Sequence, residues 1–204
     1  MHVSLVGSEM CIRDSLLLVD IGGTNIRYAY SNIGDCSFVS ENKAELESLN
    51  DFDNLISGLL ANSVVKNIVF SVAGPKVNNS IKMTNRNFEI DADAIKKRFN
   101  LKSCHLLNDW ESIGYSIKTF SENDFDDFKE SVPFNDTCLV IGPGTGLGAS
   151  VISGNNVIAT EIGNTNLGLS ALKSLLKINS DGFNVLEHVI SGTGISKMLS
   201  LIHI

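Results

Sequence analysis

The sequence predicts an α/β fold of two related lobes, and three observations carry that expectation. Two glycine-rich turns each follow an apolar run: Asp20-Ile21-Gly22-Gly23-Thr24-Asn25 after residues 16–19, and Gly142-Pro143-Gly144-Thr145-Gly146-Leu147-Gly148 after residues 139–141. Each turn leads into a returning strand, so a strand, a glycine turn and a second strand occur twice, at residues 16–30 and 139–152. Short apolar runs alternate with segments of helical spacing, the pattern of a sheet covered by helices. Two such lobes imply a cleft between them.

The elements follow in order. Residues 16–20 form a continuous apolar run closed by an acid, as expected of a buried strand that ends at a functional edge. Residues 25–31 then alternate, with Ile26, Tyr28 and Tyr30 on one face and Arg27 and Ala29 on the other, which makes the Gly22-Gly23 turn a hairpin tip. Phe52, Leu55, Ile56, Leu59 and Leu60 share one helical face, and Asn50 or Asp51 is placed to cap that helix. Residues 67–73 read as a strand ended by Gly74-Pro75, and residues 84–88 as a loop. A helix over 91–99 ends on Lys96, Lys97 and Arg98, where cations suit the helix dipole. Residues 104–107 form a short strand delivering Asn108-Asp109, and a helix follows over 110–118. The acidic stretch 122–130 reads as a solvated surface linker. The second strand system begins at Cys138 and continues through 148–153 and 157–161.

Composition excludes several function classes. A net charge of −7 argues against electrostatic binding to nucleic acid, and no apolar run is long enough for a membrane helix. Of the 4 cysteines, Cys36, Cys104 and Cys138 form no CxxC pair and read as buried reduced thiols in a cytoplasmic protein. His105 reads as a packed core residue, His188 is ambiguous, and neither has zinc-site spacing.

Both ends read as translated sequencing adapter. Leu199-Ser200-Leu201-Ile202-His203-Ile204 back-translates to CTG TCT CTT ATA CAC ATC, whose reverse complement, read one base on, encodes Met10-Cys11-Ile12-Arg13-Asp14-Ser15. The expected organisation is therefore adapter at 1–15, a small α/β lobe at 16–121, an incomplete large α/β lobe at 122–198, and adapter at 199–204.

The two glycine turns are suited to holding phosphate, because a backbone without Cβ can take positive φ and bring N–H donors close to an anion; ordinary β-turns are the alternative. Asp20, at a strand end beside the first turn, is placed to orient a hydrated Mg²⁺, or else simply to form the turn. Asp109, at another strand end, is either a general base for a hydroxyl or a helix cap.

As a set, these motifs resemble the bacterial glucokinases of the hexokinase and actin-like ATPase superfamily. The resemblance rests on Asp20-Ile-Gly-Gly-Thr-Asn-Ile-Arg27, Met83-Thr-Asn85, Leu107-Asn-Asp109, Gly142-Pro-Gly-Thr-Gly-Leu-Gly148 and Ile190-Ser-Gly-Thr-Gly194 preceded by Glu187. It implies the two-lobe, ribonuclease H-like fold of actin-like ATPases and phosphorylation of glucose at the 6-hydroxyl by ATP with Mg²⁺, the first step of glycolysis. It implies that Asp109 is the catalytic base, that Asn85, Asn108, Glu161, Asn164 and Glu187 bind the sugar together with Asp109, and that Asp20, Ile21, Gly22, Gly23, Thr24, Gly144, Thr145 and Gly146 face the nucleotide. It also implies that sugar binding closes the lobes, that the full-length protein is a homodimer, and that this chain stops short of the adenosine-binding C-terminal segment and so is poorly folded or inactive alone.

The chain departs from that family in one chemically important place. Glucokinases usually read Glu-Gly-Gly-His where this chain has Glu161-Ile162-Gly163-Asn164, so an asparagine that cannot titrate stands for a sugar-contacting histidine. Phe88 stands where the family often has tryptophan, and the cysteine-rich zinc motif of the related sugar-kinase and repressor family is absent. The competing readings are a kinase for another hexose, and a non-catalytic sugar-binding regulator on the same fold. A dinucleotide oxidoreductase is disfavoured, because the residues after Gly23 alternate like a strand where that motif needs a helix.

Overall fold

The structure is a computed structural model and describes residues 15–22, 25–35, 37–45, 48–61, 65–83, 89–126, 135–179 and 181–202. The chain divides into two compact units, residues 1–109 and 110–204.

The first unit is organised by β1 (Ser15–Ile21), an apolar strand with paired neighbours on both sides. It pairs antiparallel with β2 (Asn25–Asn32), register Ile21↔Ile26, confirming the hairpin. Beyond β2 lies β3 (Val39–Glu45), whose polar sequence Val-Ser-Glu-Asn-Lys-Ala-Glu carries no strand alternation. Its order comes from the ladder it makes on β2, and its charges suit a sheet edge. On the other side β1 runs parallel to β4 (Asn67–Val72), which runs parallel to β8 (Ser103–Asn108), giving the order β3-β2-β1-β4-β8. Between β4 and β8, the short strands β5 (Lys76–Val77), β6 (Ser80–Lys82) and β7 (Glu89–Asp91) form a separate small sheet.

Helices α1 (Leu49–Ala61) and α2 (Ala92–Arg98) complete this unit. Leu17, Ile21, Ile68, Phe70 and Leu106 of the sheet and Phe52 and Ile56 of α1 share one core, with the Phe52 and Phe70 rings 5.9 Å apart. At the start of α1, Ser48 Oγ accepts from Asp51 N at 3.2 Å, while Asp51 Oδ2 accepts from Ser48 N at 2.9 Å. The cap is therefore Ser48, not Asn50 or Asp51; Asp51 supplies the reciprocal half of a capping box. Asp91 caps α2 by accepting from Asp93 N and Ala94 N at 2.9 and 3.0 Å. The basic turn closing α2 is solvated as expected, and its Arg98–Asp53 bridge of 2.9 Å is exposed on both sides, so it contributes little.

The second unit holds β9 (Thr137–Pro143), β10 (Leu147–Ser153) and β11 (Asn156–Thr160) in the order β11-β10-β9, all antiparallel. That order repeats β3-β2-β1 of the first unit, so the repeat extends to a third strand. Helix α3 (Asp109–Ser116) packs on this sheet where Gly114 meets Ser150 and Val157 so closely that a Cβ would collide with both. This contact explains why the chain divides before Trp110, whereas the sequence places the boundary after residue 121. Helices α4 (Leu169–Leu175) and α5 (Gly192–Ile202) form a second core around Leu169, Phe183 and Val189.

Two expectations about side chains are corrected. His105 is exposed on the outward face of β8, because that strand alternates and its core positions fall to Cys104 and Leu106. Cys138 is exposed on β9, while Cys104 is buried; Cys36 lies outside the described residues.

Candidate functional site

In the first unit, the sheet sets out candidate residues at the C-terminal ends of its parallel strands. Asp20 is exposed near the end of β1, and its Oδ1 accepts from Ser71 Oγ of β4 at 3.1 Å. Ile21 is fully buried and serves the core, so only its backbone is offered to the turn. Gly22 N donates to Asn25 O at 3.0 Å, closing the hairpin; Gly23 and Thr24 lie outside the described residues, as do Asn85 and Phe88. Asn108, at the end of β8, is 4% exposed and donates from Nδ2 to Gly74 O at 2.9 Å. Gly74 has φ of 147° and a Cβ there would meet Lys82 O at 2.7 Å, so this turn needs glycine. Asp109 follows as the first residue of α3 and is half-buried.

The second unit gathers its candidates at one end of the β9–β10 hairpin. Gly144, Thr145 and Gly146 form the loop, closed by Gly144 N donating to Gly146 O at 2.9 Å. None of Gly142, Gly144, Gly146 or Gly148 has positive φ, so the sequence argument from backbone freedom does not apply here. Three of these glycines permit close approach instead. A Cβ at Gly142 or Gly148 would overlap the Trp110 indole, and one at Gly146 would lie 2.9 Å from Glu187 Oε2. At Gly144 a Cβ would meet nothing within 4 Å.

Two 3-10 turns, one holding Glu187 and one following Glu161, pack against this hairpin. Glu187 sits in the turn Leu186–His188 and its Oε2 accepts from Leu147 N at 3.5 Å. Glu161 precedes the turn Ile162–Asn164, whose Gly163 presses against the Leu147 carbonyl with no room for a side chain. Asn164 Nδ2 donates to Glu161 Oε2 at 3.1 Å, orienting that exposed carboxylate. The two turns are tied together by Leu186 N donating to Thr165 O at 2.8 Å. Thus Gly144, Thr145, Gly146, Glu161, Asn164 and Glu187 converge on one hairpin end.

Helix α5 begins at the same place. Gly192 N donates to Gly144 O at 2.8 Å, and Thr193 Oγ1 donates to Thr145 O at 2.8 Å. Ser191, fully buried, caps α5 by accepting from Gly194 N at 3.0 Å and donates to Glu187 O at 2.5 Å. A cavity of about 460 Å³ opens between the loop and the helix, lined by Gly144, Thr145, Gly192, Thr193 and Ser196. Sequence reasoning assigned no role to Ser191, Thr193, Ser196 or Trp110. The Ser-Gly-Thr-Gly run before an apolar helix is an N-cap signal that could have found the first two.

Other candidates are structural. His188 Nδ1 accepts from Asn184 N at 3.2 Å, and among the described residues no group of His, Cys, Asp and Glu is arranged to hold a metal. Among those residues no helix is long and apolar enough to cross a membrane.

Comparison with known proteins identifies the family and the fold. A family model described as Glucokinase matches residues 17–204. A glucokinase of Nostoc punctiforme is 28% identical over 197 residues, covering 88% of this chain and 58% of the relative. The chain therefore spans somewhat over half the length of that relative. Among solved structures, a glucokinase from an Antarctic psychrotroph superposes with TM-score 0.68 at 25% identity, covering 94% of this chain and 66% of that one. A ROK family glucokinase from Streptomyces griseus, in complex with glucose and AMPPNP, superposes with TM-score 0.60 at 18% identity, covering 90% and 59%. These likenesses bear out the actin-like sugar-kinase fold expected from the motifs. With a family model matching from Leu17 to the end of the sequence, this chain belongs to the glucokinase family.

Proposed function

We propose that the full-length protein is a hexose kinase that transfers the γ-phosphoryl group of ATP to the 6-hydroxyl of glucose, giving glucose 6-phosphate and ADP. The observation that carries this is the convergence of the Gly144-Thr145-Gly146 loop with Glu161, Asn164 and Glu187 on one hairpin end. A phosphate-holding loop and carboxylates that accept bonds from sugar hydroxyls are the two needs of sugar phosphorylation. A glucokinase of the same fold binds glucose and AMPPNP together, which supports this pair of ligands.

In this reading Asp109 accepts the proton of the 6-hydroxyl as its oxygen bonds to the γ-phosphorus. The bond from that phosphorus to the bridging oxygen breaks, and the electron pair leaves with ADP. Glu161 and Glu187 accept from ring hydroxyls, and Asn164 holds the Glu161 carboxylate in place. Asn108 and Asn85 hydrogen-bond the sugar, and the Asn108 bond to Gly74 O fixes the orientation of its amide.

The residues present fit the nucleotide and its metal. The cavity beside Gly144 is lined by Thr145, Gly192, Thr193 and Ser196 at the start of α5, a helix end suited to phosphate oxygens. Asp20, Ile21 and the Gly22-Gly23-Thr24 turn supply the other phosphate loop, with the exposed Asp20 carboxylate suited to a hydrated Mg²⁺. The ion would neutralise charge on the β- and γ-phosphates.

A coupled assay of ADP release tests this reading. Glucose-dependent turnover is expected, and its absence would remove the kinase. Retained glucose binding without turnover would favour a sugar-binding regulator. Turnover with another hexose in preference to glucose would relocate the specificity, and Asn164 would be the first residue to vary. Asp109→Asn is expected to lower kcat by about 10²- to 10⁴-fold with glucose affinity by calorimetry nearly unchanged; near-normal kcat would show that Asp109 is not the base.

A further inference from the structure

The Trp110 indole occupies ground that two glycines leave open. Gly142 of β9 and Gly148 of β10 are register partners on adjacent strands. A Cβ on Gly142 would run into Cη2, Cζ2 and Cζ3 of the six-membered ring, and one on Gly148 into Nε1, Cδ1 and Cε2 of the five-membered ring. One ring therefore sits over each strand. Neither glycine has positive φ, so no turn requires them; the indole does. The same two residues flank the Gly144-Thr145-Gly146 loop, and Trp110 directly follows Asp109 in the first turn of α3. One turn further on, Gly114 against Ser150 and Val157 gives α3 a second fixed point on the sheet.

We propose that Trp110 is a positioning residue: by bridging the Gly142–Gly148 pair it holds the loop-bearing hairpin in fixed register with the first turn of α3. This rests on the kinase reading. The indole touches neither substrate in that scheme. Its effect is on the loop that receives the phosphates and on the helix turn that begins with Asp109. Misplacement of reacting groups by about 1 Å costs on the order of 10²-fold in rate, so loss of the bridge is read in kcat.

The test uses the full-length protein, with kcat and both KM values measured for wild type, Trp110→Ala, Trp110→Phe and Gly148→Ala. Trp110→Ala is expected to lower kcat about 10- to 100-fold and raise KM for ATP, with KM for glucose within about twofold. Trp110→Phe, which keeps one aromatic ring over the hairpin, recovers most of the loss. Gly148→Ala displaces the indole and reproduces the loss, and combining it with Trp110→Ala adds no further loss, since both remove one contact. If Trp110→Ala does not fold, Trp110→Phe and Gly148→Ala carry the test. The proposal is overturned if kcat and KM for ATP stay within about twofold of wild type while only the melting temperature falls, because Trp110 is then packing alone. A wild-type protein without glucose-dependent ADP release removes the kinase reading, and this proposal with it.

Discussion

Replacing Ser191 by alanine tests the joint that seats Glu187 on α5. The Ser191 hydroxyl is fully buried, accepts from Gly194 N at 3.0 Å and donates to Glu187 O at 2.5 Å. Gly194 itself is locked there, since a Cβ would lie 2.5 Å from His188 O and 2.9 Å from Glu187 O, both backbone atoms that cannot yield. The helix start cannot slide to find other partners. Loss of the cap costs about 1 kcal/mol and loss of the buried donor to the Glu187 carbonyl another 1–2 kcal/mol, so Ser191→Ala is expected to destabilise by about 2–3 kcal/mol. For a chain of this size that is a fall in melting temperature of roughly 5–10 °C. Calorimetry of the transition that includes α5 reads it directly, with Ser196→Ala, an exposed hydroxyl on the same helix, as the control expected within about 0.5 kcal/mol of wild type. On the kinase reading, KM for glucose in the full-length protein should also rise, because the Glu187 carboxylate loses its seat. A Ser191→Ala protein no less stable than the control would refute the reasoning, since a hydroxyl with two buried partners cannot be removed without cost.

Three further outcomes follow from other residues. Ser150 Oγ is fully buried on β10 with no hydrogen-bond partner among the described residues, so Ser150→Ala should leave stability unchanged or raise it by up to about 1 kcal/mol in urea titration; a clear loss would show a missed partner. Burial, aided by the negative charges of Asp93 and Asp91 and opposed by Lys96, pushes the Cys104 thiol from 9.0 up to about 12. The unfolded thiol ionises first, so the Cys104 contribution is complete below pH 9 and is lost as pH rises from 9.0 towards 12; Cys104→Ala should flatten that alkaline slope, and an unchanged slope would refute the assignment. Asn164→Ala frees the Glu161 carboxylate at an exposed site, so melting temperature should hold while, on the kinase reading, KM for glucose rises about 3- to 10-fold in the full-length protein; unchanged KM would show that the 3.1 Å bond does not orient a sugar-binding carboxylate.

The elements legible in the sequence are those whose own pattern dictates them. β1, β4 and β8 carry apolar residues that the core absorbs, and α1 turns Phe52 and Ile56 to that core as its periodicity requires. β3 and the small β5-β6-β7 sheet were not legible, because their order comes from hydrogen bonds to partners rather than from their own alternation. The sequence offers Asn50 or Asp51 as the cap of α1, since both residue types cap well. The geometry instead uses Ser48, three residues earlier, with Asp51 answering it. His105 shows the same limit: beside Cys104 in a short strand it reads as a packed core residue, but β8 alternates and turns the histidine outward.

The glycines of the second hairpin show why composition alone underdetermined the site. Spaced as Gly142, Gly144, Gly146 and Gly148, they read as one phosphate loop; in space they divide by what each must admit. Gly142 and Gly148 face Trp110, Gly146 faces Glu187, and Gly144 faces open space beside the cavity. Residues directly paired across two antiparallel strands share a face, so the partners Gly142 and Gly148 present one surface to α3. Only the loop residues remain for a ligand. A large aromatic at the start of a helix gives no sequence signal that it needs two glycines on a distant hairpin; the requirement arises only when α3 lies on β9 and β10. Substituting Gly144 should therefore leave folding intact and act on nucleotide binding, whereas substituting Gly148 disturbs the sheet–helix contact first. The same residue type, four times in seven positions, supports packing at two of them, seats a carboxylate at a third and leaves room at the fourth.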